Sequence, residues 1–150
     1  MAKKLKDPDW APDYGPRQIH PTAGVTAVGA RMPLVAYNVN LNTDRLEIAD
    51  SIAKKVRYIG GGLRYCKAMG VELKERGMVQ VSMNLVNYEK TPIHRVLETI
   101  RSEASRYGVQ IAGTELIGSV PLGALEEVVR FYLQTHDFAI DQIVETALLD

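Results

Sequence analysis

Leu34-Val35-Ala36-Tyr37-Asn38-Val39-Asn40-Leu41, followed by Asn42-Thr43-Asp44 and then by Leu46, Ala49, Ile52, Ala53 and Val56, is the stretch that decides the fold. Side chains of a strand alternate between faces, so Val35, Tyr37, Val39 and Leu41 share one side, and Leu34, Ala36, Asn38 and Asn40 the other. The apolar period then lengthens to three and four, the stripe of an amphipathic helix. Thr43 is the expected N-cap, with Asp44 and Glu47 in the first turn, and the helix is expected to stop by Gly60-Gly61-Gly62.

Working outward, residues 63–74 are rich in strand formers, Glu75-Arg76-Gly77 reads as a turn, and residues 79–85 alternate cleanly, which together make a hairpin. Thr91-Pro92 supplies a cap and an N1 proline for a second helix with the stripe Ile93, Val96, Leu97, Ile100, Ala104 and Tyr107, ended by Gly108. A strand is expected over residues 109–117. Pro121 opens a third helix carrying Leu125, Val128, Val129, Tyr132 and Leu133, and residues 141–149 read as a short fourth helix. Upstream, residues 24–31 read as an extra strand, set off by Met32-Pro33. Pro8, Pro12, Pro16 and Pro21 make residues 1–22 an extended arm that no helix can run through. The order strand, helix, strand, strand, helix, strand predicts an α/β (α+β) fold of the ferredoxin-like, split βαβ type. It carries an extra N-terminal strand and C-terminal helices, with its helices on one face of a mainly antiparallel sheet. The domain division expected is an arm, 1–22, and one domain, 23–150.

The 150 residues are 46% hydrophobic without an apolar run long enough to span a bilayer, so a globular domain with no membrane partner is expected. Eighteen basic and eighteen acidic residues cancel, and no basic block offers the counterion release on which nucleic-acid binding depends. A single cysteine, Cys66, rules out an internal disulfide and a cysteine-built metal site, and fits a reducing cytoplasm.

In the hairpin, Val79, Val81, Met83 and Leu85 belong against the helices, leaving Gln80, Ser82 and Asn84 outward beside Asn38 and Asn40. Such a face either meets water or is covered. Exposed strand faces usually carry Lys, Glu, Thr and Arg, whereas these five residues are neutral amides and a hydroxyl. Asparagine is a poor strand former. Amides donate and accept in fixed geometry, which suits a heteroaromatic ring with paired donors and acceptors. The candidate binding residues are therefore Asn38, Asn40, Gln80, Ser82 and Asn84, with Arg31, read at the end of the extra strand, as a cation able to clamp a carboxylate.

Catalytic constellations are scarce. His94 and His136 read as solvated surface histidines, and His20 lies before Pro21 in the arm. No metal-ligand spacing and no Gly-x-Ser-x-Gly elbow occurs. Gly60-Gly61-Gly62 follows a helix where a phosphate loop follows a strand, and reads as a helix exit. Glu115 reads either as a buried acid or, more commonly for a glutamate, as a paired or edge-exposed one.

Four separated blocks carry a resemblance over nearly the whole chain. They are Asp9-Trp10-Ala11-Pro12-Asp13-Tyr14-Gly15-Pro16; Gly29-Ala30-Arg31 leading into Leu34, Ala36, Asn38, Asn40 and Leu41; Gln80-Val81-Ser82 with Asn84-Leu85; and Gly118 with Val120-Pro121-Leu122 and Ala124-Leu125. In that order they resemble the C-terminal subdomain of the glutamate formiminotransferase family. The resemblance implies transfer of a formimino group from formiminoglutamate to tetrahydrofolate, as co-substrate, in histidine degradation. It also implies two α/β subdomains whose sheets face each other across the substrates, so that an N-terminal subdomain is the expected partner. The family's catalytic histidine belongs to that other half and matches no residue here, so no catalytic residue is expected in this chain and the chain alone is expected to be inactive. A normally covered face left bare predicts a homo-oligomer. A different class also stays open, a non-catalytic folate-binding or regulatory module that self-associates through the open sheet face.

Overall fold

The computed structural model describes residues 3–148 and divides into two units that meet in sequence at Arg31 and Met32. The first unit holds two single 3-10 turns, Lys4–Lys6 and Pro8–Trp10, and the Lys4 ammonium lies 3.9 Å over the Trp10 ring. The strand expected over residues 24–31 does not form. Among the described residues of the unit, one isolated bridge, His20 with Gly24, is the sole ladder contact, and Val25 and Val28 are exposed. Strand propensity reports fit to a half-buried pleated surface, and without a paired neighbour β-branched residues do not make a strand.

The second unit runs β1 (Val35–Leu41), α1 (Leu46–Val56), β2 (Cys66–Leu73), β3 (Met78–Leu85), α2 (Ile93–Ser105), β4 (Ile111–Ile117) and α3 (Leu122–Leu133). The sheet order is β2-β3-β1-β4, and each neighbouring pair is antiparallel. Both helical crossovers therefore skip a strand, from β1 past β3 to β2 and from β3 past β1 to β4, which is the ferredoxin-like arrangement. Helix α1 packs on β2 and β3, α2 on β1, and α3 on α2.

The core follows the periods read from the sequence. Val35, Tyr37, Val39 and Leu41 of β1 and Val79, Val81, Met83 and Leu85 of β3 are buried. They meet Ile48, Ala49, Ile52, Ala53 and Val56 of α1 and Ile93, Val96, Ile100 and Ala104 of α2. Each fully buried Val, Leu, Ile or Met contributes roughly 1.5–3 kcal/mol, so this one layer between sheet and helices dominates the unit's stability.

Helix starts differ from expectation. Thr43 does not cap α1: its hydroxyl accepts the Arg45 N–H at 3.3 Å in a local turn, Arg45 is the N-cap, and Asp44 lies outside the first turn. Pro92 stands at the N-cap of α2, one place earlier than N1, and Pro121 stands at the N-cap of α3, opening that helix as expected. Residues 140–148 hold two single 3-10 turns, Ile140–Gln142 and Thr146–Leu148, in place of the fourth α-helix expected over 141–149, and residue 149 lies outside the described residues. A segment this short cannot offset the cost of helix nucleation without a packed face.

The β2–β3 turn needs Gly77, whose φ of 60° lies in the left-handed region. Gly70 serves a close approach. A Cβ there would sit 2.6 Å from Asp50 Oδ1 and 2.8 Å from the Asp50 backbone nitrogen, so only glycine lets α1 lie this near β2. Asp50 Oδ1 also accepts the Gly70 N–H at 3.2 Å.

Candidate functional site

Strand pairing sets out the sheet face opposite α1 and α2 as three rows. The first is Lys67, Asn84, Ala36 and Ile117; the second Met69, Ser82, Asn38 and Glu115; the third Val71, Gln80, Asn40 and Gly113. Asn38, Asn40, Gln80, Ser82 and Asn84 therefore stand on adjacent central strands of one face. Lys67 and Glu115 join them from the edge strands, together with the exposed apolar side chains of Met69 and Ile117. The face is accordingly not the uncharged surface expected from β1 and β3 alone.

A hydrogen-bonded network fixes one end of it. Glu115 Oε1 accepts from Arg76 Nη1 at 2.7 Å and from Asn40 Nδ2 at 3.1 Å, and Glu115 Oε2 accepts from Gln80 Nε2 at 3.1 Å. Gln80 Nε2 also donates to Asn40 Oδ1 at 2.7 Å. An ionised carboxylate only accepts, so both amides must turn their NH₂ groups towards it and neither can flip. The bond from Asn40, the bond and charge of Arg76, and the bond from Gln80 all hold the Glu115 carboxyl below the usual carboxylate range, against the opposing pull of desolvation. Asn40 and Gln80 are buried, while the Glu115 side chain keeps 30% of its surface exposed. Arg76, Gln80 and Glu115 line a cavity of about 490 Å³ with Glu72, Leu73, Lys74 and Glu75. Asn38, Ser82 and Asn84 lie outside this network.

Sequence reading missed Arg76 and left Glu115 between alternatives. The signal for Glu115 lay in strand phase: pairing with Asn38 puts it on the open face. Nothing local marked Arg76, which reaches Glu115 from the turn ahead of β3 across 39 positions of sequence. Arg31 does not stand at a strand end. It falls in the first unit, in a segment without regular structure.

The histidines divide. His20 and His136 are exposed, and His20 Nδ1 accepts the N–H groups of Thr22 and Ala23 at 3.3 and 3.1 Å. His94 corrects the reading of a solvated residue. It is 8% exposed, its ring stacks on Phe131 of α3 at 4.4 Å, and its Nδ1 is buried without a partner among the described residues. Burial, the largest influence, lowers its pKa. Gly60, Gly61 and Gly62 spend their N–H groups on the carbonyls of Arg57, Tyr58 and Arg57, which leaves no nest of free amides for a phosphate.

Comparison with known proteins places the chain in a family. Residues 36–148 match the Formiminotransferase domain, and residues 1–31 match the Formiminotransferase domain, N-terminal subdomain, a division that falls where the two structural units meet. The chain belongs to the formiminotransferase family. It is 59% identical over 150 residues to a glutamate formimidoyltransferase of Streptococcus pyogenes, covering 99% of this chain and 50% of that protein. A glutamate formimidoyltransferase of Thermoplasma acidophilum is 46% identical over 145 residues, 97% of this chain and 48% of that protein. A formimidoyltransferase-cyclodeaminase of Dictyostelium discoideum is 37% identical over 155 residues, 99% of this chain and 29% of that protein. The chain thus spans about half the length of the first two relatives and less of the third. Among the described residues no helix is long and apolar enough to cross a membrane.

Proposed function

We propose that this chain forms one wall of the substrate site of a glutamate formimidoyltransferase, binding tetrahydrofolate as co-substrate together with formiminoglutamate, with an N-terminal subdomain of the family closing the other side. The observation that carries the reading is the placing of Asn38, Asn40, Gln80, Ser82 and Asn84 on one sheet face, pointing away from the helices. Two of these amides are already locked in polarity. The donor set of the second unit fits a folate: amides and a hydroxyl for a pterin, and Lys67 as a cation for the carboxylates of its glutamate moiety; Arg31, in the first unit, keeps only its chemistry as a candidate carboxylate clamp.

A one-sided surface buries too little of a ligand for tight binding. Calorimetric titration of the chain alone with tetrahydrofolate is therefore expected to give roughly millimolar affinity, about −4 kcal/mol. Addition of a separately produced N-terminal subdomain should tighten it. In the two-part enzyme, Asn38→Ala or Asn84→Ala should raise the folate Michaelis constant by an amount equal to about 1–3 kcal/mol. Folate kinetics untouched by both changes would remove the assignment. The exposed Met69 and Ile117 on the same face support self-association of the isolated chain, readable by light scattering.

A further inference from the structure

Lone-pair accounting at the Glu115 network shows what it still lacks. Each carboxylate oxygen offers two acceptor directions, and an amide NH₂ offers two hydrogens. Glu115 Oε1 takes two donors, from Arg76 and Asn40, and is complete. Glu115 Oε2 takes one, from Gln80, and has one direction open. Gln80 Nε2 spends both hydrogens, on Asn40 Oδ1 and Glu115 Oε2, which leaves its own carbonyl Oε1 as an acceptor outside the network. The two open acceptors belong to side chains joined by one hydrogen bond, and both side chains line the 490 Å³ cavity.

From this geometry we infer that Glu115 and Gln80 form a receptor for an amidine edge, a planar group with two neighbouring N–H donors. The inference rests on the folate-site reading and adds the ligand chemistry and the residue, Glu115, that selects it. A carboxylate is the wrong partner for these two acceptors, because it brings no hydrogen to either and would meet the negative charge of Glu115. A planar donor pair is the right one, since parallel N–H bonds to an anion are short, strong and specific in direction. Two groups of the proposed reaction carry this edge: the 2-amino and ring N–H of a reduced pterin, and the formamidine of formiminoglutamate. Arg76 and Asn40 are positioning residues in this scheme. They hold the carboxylate in place, and Asn40 together with Glu115 takes both hydrogens of the Gln80 amide, so that its oxygen is the group left unpaired.

The test is a nuclear magnetic resonance titration of the 150-residue chain, following the side-chain amides of Asn40 and Gln80 and the backbone. The probes are tetrahydropterin, formamidinium chloride, and lumazine, in which oxygen replaces the pterin 2-amino group. At millimolar concentration, tetrahydropterin or formamidinium should shift both side-chain amides saturably and lumazine should not. The probe that binds identifies the source of the edge. Glu115→Gln should weaken that binding about tenfold, the loss of one charge-assisted bond, while the backbone signals of α1 and α2 stay in place. Should that variant unfold, Gln80→Met removes the second acceptor and carries the same expectation. Equal shifts by lumazine, or unchanged affinity in the variants, overturn the inference. Tetrahydrofolate that moves Asn38, Ser82 and Asn84 but not Gln80 overturns it while leaving the folate surface standing; tetrahydrofolate that moves no residue of the face sinks both.

Discussion

At the scale of single residues, burial sets two chemical behaviours. Cys66 is 1% exposed, and desolvation pushes its thiol up to about 12. Only the thiolate reacts, so labelling by a disulfide reagent at neutral pH should be slow in the native protein and rise sharply in urea, as absorbance of the released thiol will report. His94 behaves oppositely in sign. Burial against Phe131 disfavours its charged form and lowers its pKa, with Arg95 acting the same way and Glu127 and Glu98 opposing. The unfolded chain then binds a proton that the folded one refuses once pH drops below about 6.5. Stability should be full above that value and fall below it, levelling off where the folded imidazole finally titrates. Urea midpoints measured between pH 7.5 and 5, a range spanning the ordinary histidine value, should slope for the wild type and flatten for His94→Phe. Equal slopes would deny His94 this role. The helical period of α2 gave no hint of its burial, because the covering ring comes from α3, 37 positions later in the sequence.

Elements were legible in proportion to how locally their partners are set. β1, β3 and the apolar stripes of α1 and α2 follow from alternation and spacing alone, since one face of each is buried in the same core. The edge strands β2 and β4 lack clean alternation, and their phase became clear only through pairing, which is why Glu115 stayed ambiguous and Lys67 went unread. Residues 24–31 had strand composition without a strand to pair with. Fit between elements makes its own prediction at Gly70. Gly70→Ala sets a methyl 2.6 Å from Asp50 Oδ1 and 3.1 Å from the Ala49 carbonyl carbon, and α1 must shift to admit it. Overpacking of this kind costs about 1–3 kcal/mol, so the urea midpoint should drop with an unchanged slope. A neutral result would mean that α1 and β2 separate without cost.

At the scale of the whole molecule, three groups that could carry a proton, His94, Cys66 and Glu115, are poorly disposed for transfer. General acid–base catalysis needs a group of matched pKa within hydrogen-bond reach of the reacting atoms. His94 is buried in α2 and stacked on Phe131, away from the open face, Cys66 is sealed in the core, and the Glu115 carboxyl is held below the usual range by Asn40, Arg76 and Gln80. Beside Lys67 and Glu115, the open face carries amides and a hydroxyl, which can bind and orient but cannot exchange protons near neutral pH. Since the chain spans about half the length of the two glutamate formimidoyltransferases it is similar to, the expected outcome is that the purified 150 residues show no formimino transfer from formiminoglutamate to tetrahydrofolate. Mixing with a separately produced N-terminal subdomain should restore turnover, and the restored rate should saturate at one subdomain per chain. Glu115→Gln should then alter the Michaelis constant of whichever substrate carries the amidine edge more than it alters kcat, because that contact is made in the ground state as well as the transition state. Turnover by the chain alone that disappears in His20→Ala would overturn this division of labour, since it would place the proton-handling group in the first unit.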